Sequence, residues 1–472
     1  MSPKSSEDTM DLQSKEHDVG HPRNASQGKK SLRFREFKVR DSLMTTLFEN
    51  NENVQAVVSI VSGFVWFHVV IMVLFNRQQL KEDYAFFHWS LIRNFHLFAV
   101  MWFGLFALYV INYFNTKLFI NKLISSTVYW ILTLLTIGLS VMVCHYEPWT
   151  FKSQLSNSLM MALLCEHVRI EMKVLAYAFH STKKADVENK NDEDNKGHKQ
   201  GKSSLSHYIY FFFAPCMVYR DYYPRSAQPT NWKRVIQYFV HFIGTVYLLL
   251  MGLRHLVQPY YSRVGKVPMT SADIGHLILV GYWFGLPIFL FGMAHALLHC
   301  WHNIFAEIIH FGDRHFYNDW WTVTNSIEYL RKWNLIVGDW IFEYVHVPLM
   351  NKTRSRFFSA LMIYNISAIL HDYVLYGILG FFLPLYTLVY PTLAIIGDFS
   401  FMYIKRLGLF NNASRLHGNT VFHMFSYACF AIWIGISSLE YYSRMNCPDK
   451  LEGTWKEALG LSPLFPKCIT FQ

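Results

Sequence analysis

The chain has 472 residues, 52% of them hydrophobic and 17% aromatic, with only 16% charged. Soluble globular domains carry about 25% charged residues, so this composition excludes an ordinary soluble protein and points to a membrane protein. The net charge of +10 lies in short loops and tails between apolar runs. No basic patch interleaved with aromatics accompanies it, so anionic lipid headgroups are the expected partner and nucleic acid is not.

Residues 1–50 form a polar N-terminal region without the apolar run of a signal peptide, expected to be largely disordered up to about Lys30. Lys29, Lys30, Arg33, Arg35, Lys38 and Arg40 place this region in the cytosol. A bilayer crossing needs roughly 20 apolar residues. Runs 54–75, 95–114, 123–144, 234–257, 276–300, 357–383, 385–404 and 419–440 meet that length. The stretch 155–180 is interrupted by Glu166, His167, Arg169, Glu171 and Lys173. After it come a charged linker, 181–205, and the basic residues Arg220, Arg225, Lys233 and Arg234, which favour the cytosol. A crossing by 155–180, with its polar groups turned to protein or water, reconciles these loops; an amphipathic surface helix is the competing reading.

The expected fold is therefore all-α and polytopic, with about nine transmembrane helices across residues 51–440. A luminal tail, 441–472, carries Cys447 and Cys468, a disulfide candidate in an oxidising lumen. The other five cysteines, Cys144, Cys165, Cys216, Cys300 and Cys429, lie in or near apolar segments and read as inert thiols. The seven show no zinc spacing, and no metal is expected.

Three motifs carry chemistry. Phe316-Tyr317-Asn318-Asp319-Trp320-Trp321 follows a cytosolic membrane exit. It could be an interfacial aromatic belt, but an acid inside such a belt usually has a specific partner. Trp333-Asn334 offers an amide that could polarise a carbonyl or simply tie helices together. Ser367-Ala-Ile-Leu-His371-Asp372-Tyr373 puts an imidazole near the middle of a span, about 20 Å along the helix. An ionisable group at that depth is a functional candidate, with Ser367 one turn back on the same face. A neutral histidine donating to a backbone carbonyl is the plain structural alternative. In a dry cavity it suits general-base work on an alcohol attacking a thioester.

In their order, these motifs resemble the membrane-bound O-acyltransferase superfamily, and within it the sterol O-acyltransferases. Tyr219-Arg220-Asp221-Tyr222-Tyr223-Pro224-Arg225, His299-Cys300-Trp301 and Phe311-Gly312-Asp313-Arg314 match as well, as do Arg40 to Glu49 and Glu440 to Cys468. The resemblance covers roughly residues 31–472. It implies a nine-helix bundle with an intramembrane reaction chamber in the endoplasmic reticulum membrane, and a homodimer or homotetramer. It also implies fatty acyl-CoA as co-substrate, with no separate cofactor, and a sterol entering from the bilayer. By position, His371 would be the catalytic base and Asn334 its polar partner, with Tyr317, Trp320, Trp321, Arg331, Arg356 and Ser367 near the acyl-CoA. The sequence departs from the pattern at Thr322, where the family has Asn, at Gly338, where it has His, and at Asp372, where it has Glu. Alternative functions are transfer to another lipid alcohol, such as diacylglycerol or a long-chain alcohol, and a weakened paralogue with a sensing or partner role. A proton-coupled transporter would call for paired repeats, and the sequence shows none.

Overall fold

The computed structural model describes residues 34–49, 51–150, 154–191, 204–381 and 415–446, with 383, 384, 387 and 403 between the last two stretches. Met1–Phe34 separates as a unit of its own, and the remainder, Arg35–Gln472, forms the second. The regular structure of the described part of that second unit is helical, with two isolated bridges, Arg40 to Asp313 and Arg225 to Phe311, in place of strands.

The helices run in order α1 Leu43–Glu49, α2 Glu52–Phe75, α3 Arg77–Phe87, α4 Phe95–Ile120, α5 Ser126–Thr150, α6 Asn157–Asn191, α7 Leu205–Phe213 and α8 Trp232–Gly252. They continue with α9 Gln258–Tyr261, α10 Ser271–Pro287, α11 His302–Ile308, α12 Ser326–Leu330, α13 Leu335–Ile341, α14 Val347–Thr353, α15 Arg356–Leu379 and α16 Arg415–Asn446. Their starts are written in the sequence. Ser204, Asn231, Asn325, Asn334 and Ser355 each turn a side-chain oxygen onto a backbone N–H of the first turn, and Thr270 with Asp273 closes a capping box. Gly380, in the left-handed region at φ 74°, ends α15.

Apolar residues cover the outside of the bundle as well as its inside. On α4, Met101, Leu105, Tyr109 and Tyr113 are buried, while Val100, Phe103, Ile111 and Phe114 face outward. Water would penalise such a surface and lipid does not, so the protein is a polytopic membrane protein. Among the described residues, six helical segments are long and apolar enough to cross a membrane: Arg77–Ile120, Ser126–His145, Trp232–Tyr261, Ser271–Ile308, Arg356–Gly377 and Asn419–Asn446. The expected run at 54–75 coincides with α2. The run at 385–404, apart from Thr387 and Tyr403, and the cysteine-bearing tail from 447 lie outside the described residues.

The polar stretch 155–180 belongs to α6, which packs against α4, α5 and α15. Leu163, Leu164, Ile170, Ala176 and Tyr177 are buried. This is an interior helix, so the surface-helix alternative is set aside. Its charges have protein partners, as an apolar surrounding demands. Lys173, fully buried, donates to the carbonyls of Phe211, Phe212 and Ala214 at 2.5, 2.9 and 2.7 Å, closing the C-terminus of α7. Glu166 accepts from Arg169 at 2.8 Å and from the Trp102 indole at 2.9 Å. The helix continues to Asn191, so the first residues of the charged linker are helical.

Candidate active site

The first two motifs fold onto each other. The N–H of Leu335 donates to Phe316 O at 2.9 Å, and that of Asn318 to Lys332 O at 2.8 Å. Trp320 meets Trp333 edge to face at 4.9 Å, and Phe289 stacks on Trp333 at 4.7 Å. Trp321 lies beside Trp320, and its carbonyl accepts from Asn419 at 2.6 Å. Asp319 does have the specific partner that an acid in an aromatic run calls for: Lys332 at 3.1 Å. Thr322 donates to the same carboxylate at 2.7 Å. Burial works to raise the Asp319 carboxyl, but Thr322 and Lys332 hold it below its ordinary value. Thr322 therefore does structural work at the position where the family pattern has Asn.

Tyr317 points elsewhere. Its hydroxyl lies 2.8 Å from His299 Nδ1, inside a buried polar network that includes Ser42, Thr45, Tyr238 and Asn303. The network joins α1 to α8 and to the end of the α10 span. A separate strap holds the residues before α1. Arg40 N–H donates to Gly312 O at 2.9 Å, Arg314 N–H donates to Arg40 O at 3.0 Å, and Arg35 and Arg40 reach the Asp313 carboxylate at 3.0 and 2.8 Å. Gly312 is required there, because a Cβ would stand 2.8 Å from Pro224 O. Arg35 also pairs with Asp339 at 2.6 Å. Burial raises the Asp339 carboxyl despite that arginine, whereas Arg40 and Arg35 together outweigh burial and hold Asp313 low. A small cavity lined by Arg35, Asp313, His315 and Asp339 lies under this strap, among its ion pairs and away from His371.

Asn334 caps α13, its Oδ1 accepting from Val337 N–H at 3.2 Å. That bond fixes the amide plane and directs the Nδ2 donors away from the helix. Gly338 lies in the same helix with no left-handed backbone, and a Cβ there would meet only Leu330 O at 3.7 Å, an ordinary contact. Since glycine weakens a helix interior, Gly338→Ala should stabilise the protein by about 0.5–1 kcal/mol, read as a raised thermal unfolding midpoint in detergent. A histidine also has room at its Cβ.

His371 lies on α15 and is exposed among the described residues. Its Nδ1 is 2.6 Å from the Ser367 carbonyl. A carbonyl can only accept, so Nδ1 carries the proton and Nε2 is the basic nitrogen. Ser367 thus contributes its backbone to the ring. On the other side of α15, Tyr373 hydroxyl meets His167 Nδ1 at 2.7 Å, and His167 Nε2 meets Ser140 at 2.8 Å. This contact sets the rotation of α15 and hence the direction of His371. Asp372 is buried, and its carboxylate accepts from the Thr387 N–H at 2.8 Å.

His346 Nδ1 is 2.8 Å from Ser359 Oγ on α15, and the charges of Arg331 and Arg356 act on its ring. Both arginines are exposed. Partial burial and then their two charges lower the His346 pKa. The His346–Ser359 contact is where α15 meets the segment leading back to Asn334. Sequence reasoning missed the Tyr317–His299 network and the Arg220–Glu343 pair at 2.6 Å, because their partners are far apart along the chain.

The Phe316–Trp321 and Trp333–Asn334 motifs are thus brought together, and His371 stands on a separate helix, α15, of the same helical membrane architecture. The model of the membrane-bound O-acyltransferase family matches residues 62–432, and the chain belongs to that family. It is similar to human sterol O-acyltransferase 2, at 32% identity over 251 residues, which is 52% of this chain and 45% of the human protein. It is also similar to mouse sterol O-acyltransferase 1, at 31% identity over 297 residues, 61% of this chain and 51% of the mouse protein. The rat form of the latter gives 31% over 296 residues, again 61% and 51%. The chain thus spans about half the length of the curated relatives it matches.

Proposed function

We propose that this acyltransferase moves a long-chain fatty acyl group from acyl-CoA to the hydroxyl of a sterol, in the endoplasmic reticulum membrane, as a homodimer or homotetramer. The observation that carries the mechanism is His371, exposed on α15 with its Nδ1 proton committed to Ser367 O. Nε2 takes the proton of the sterol hydroxyl as its oxygen attacks the thioester carbonyl. The C–S bond then breaks, the CoA thiolate recovers the proton from the imidazole, and steryl ester and free CoA leave. The Nδ2 donors of Asn334 are suited to the developing oxyanion, and loss of such a donor costs about 10²–10³ in rate. The choice of a sterol rests on the relatives, which are named sterol O-acyltransferases.

Arg331 and Arg356 are assigned the phosphates of CoA. Arg331→Gln combined with Arg356→Gln should raise KM for acyl-CoA about tenfold or more with kcat little changed, since the contact is equally present in ground and transition states. The acceptor is tested with labelled oleoyl-CoA offered to cholesterol, diacylglycerol and a long-chain alcohol. Steryl ester as the main product is expected. A dominant diacylglycerol or alkyl ester would overturn the sterol assignment. Ester formed by Gly338→His alone would make the native chain a weakened paralogue.

A further inference from the structure

Away from His371, α8 meets the membrane segment Ile288–Trp301, which follows α10 as a π-helix. Here His241, His295 and Cys300 each offer a ligand atom, all within 4.8 Å of one another. Cys300 Sγ is 3.6 Å from His295 Nε2, and the His241 and His295 rings are 5.8 Å apart.

The winding of the chain makes this meeting possible. In an α-helix, residues five apart diverge by about 140° at 3.6 residues per turn. A π-helix closes i→i+5 bonds and widens the turn, which brings residues five apart onto one face. Such winding is usually a single turn and is often found at functional sites. Here it runs for 14 residues, Ile288–Trp301, and contains both His295 and Cys300. The spacing fits a shared ion. Metal–sulfur and metal–nitrogen bonds of about 2.3 and 2.0–2.1 Å put S and N about 3.5 Å apart in a tetrahedral site, and the observed separation is 3.6 Å. Two imidazoles and one thiolate are a soft donor set that suits Cu+ or Zn2+. Charge separates the two. Both contributing segments are membrane spans, where net charge is disfavoured. One thiolate neutralises a monovalent ion and leaves a divalent one with a positive charge.

We propose that His241, His295 and Cys300 bind one cuprous ion, pinning α8 to the segment that leads, through His299, to Tyr317. Cys300 releases its S–H proton to solvent as the Cu–S bond forms, and the copper stays monovalent throughout. The site is independent of the acyl-transfer assignment. Sequence spacing hid it because one ligand is on another helix and the other two are five residues apart.

The test uses full-length protein in detergent, handled without oxygen and with a reductant, titrated with Cu+ against a cuprous chelator and separately with Zn2+. Wild type should retain about one Cu+ per chain, and Cys300→Ser and His295→Gln should each bind at least tenfold more weakly. His241→Gln, at a half-buried position, serves as a further variant should either of those fail to fold. X-ray absorption of the loaded wild type should show one sulfur neighbour with nitrogens. Equal copper retention by all variants, no sulfur neighbour, or tighter binding of Zn2+ than Cu+ would each overturn the proposal. In the first two cases the 3.6 Å contact is a thiol–imidazole hydrogen bond and nothing more.

Discussion

Replacing His371 by alanine should lower kcat for acyl transfer by about 10²–10⁴-fold, the usual contribution of a general base, with KM for acyl-CoA nearly unchanged. The residue is exposed, so its removal takes away little packing and the variant should fold. His371→Gln sharpens the test. Its amide can still donate to Ser367 O and fill similar space, but it has no basic nitrogen, so its loss should match that of alanine. Single-turnover measurements with bound labelled acyl-CoA separate the chemical step from binding. An alanine variant within about threefold of wild type would mean that the acyl group is transferred without a base at this position.

Asp313→Ala should be the most destabilising single change outside the membrane. The carboxylate is fully buried and holds Arg35 and Arg40 at 3.0 and 2.8 Å. Removing one partner of a buried pair costs about 3–5 kcal/mol, and the lower end applies because Arg40 is partly open to water. A lower unfolding midpoint in detergent, with residues 35–40 exposed to proteolysis, is the expected readout. The pH dependence has a definite sign. The two arginines hold the folded carboxyl below its ordinary value of 3.8, so its stabilisation is fully present above that value. It is lost as pH falls through the lower folded value. Asp313→Asn should be less stable near neutral pH and should flatten that acid limb of the unfolding curve. An unchanged acid limb would mean that the pair contributes nothing to stability.

Much of this was legible in the sequence because membrane spans are local signals. Apolar runs located α4, α5, α8, α10, α15 and α16. His371 stood out because an imidazole at mid-span is costly without a purpose. Asp319 stood out because an acid among tryptophans needs a cation, and Lys332 supplies it. What stayed hidden depends on distance along the chain or on winding. The Arg35–Asp313 strap joins residues 278 positions apart. Lys173 read as an interruption of a span, whereas it closes the end of another helix. The π-helical run before Trp301 has the composition of any apolar helix, so periodicity cannot reveal it. Tyr317 shares a motif with Trp320 but turns its hydroxyl toward His299, and no spacing rule shows which way it faces.

The most direct measurement is a structure of the full-length protein with a non-hydrolysable acyl-CoA and a sterol bound. The account predicts the sterol hydroxyl within about 2.6–3.2 Å of His371 Nε2 and within about 3.5 Å of the thioester carbonyl carbon. It also predicts the CoA phosphates against Arg331 and Arg356. An acyl chain lodged elsewhere, with the imidazole of residue 371 touching neither reactant, would contradict it.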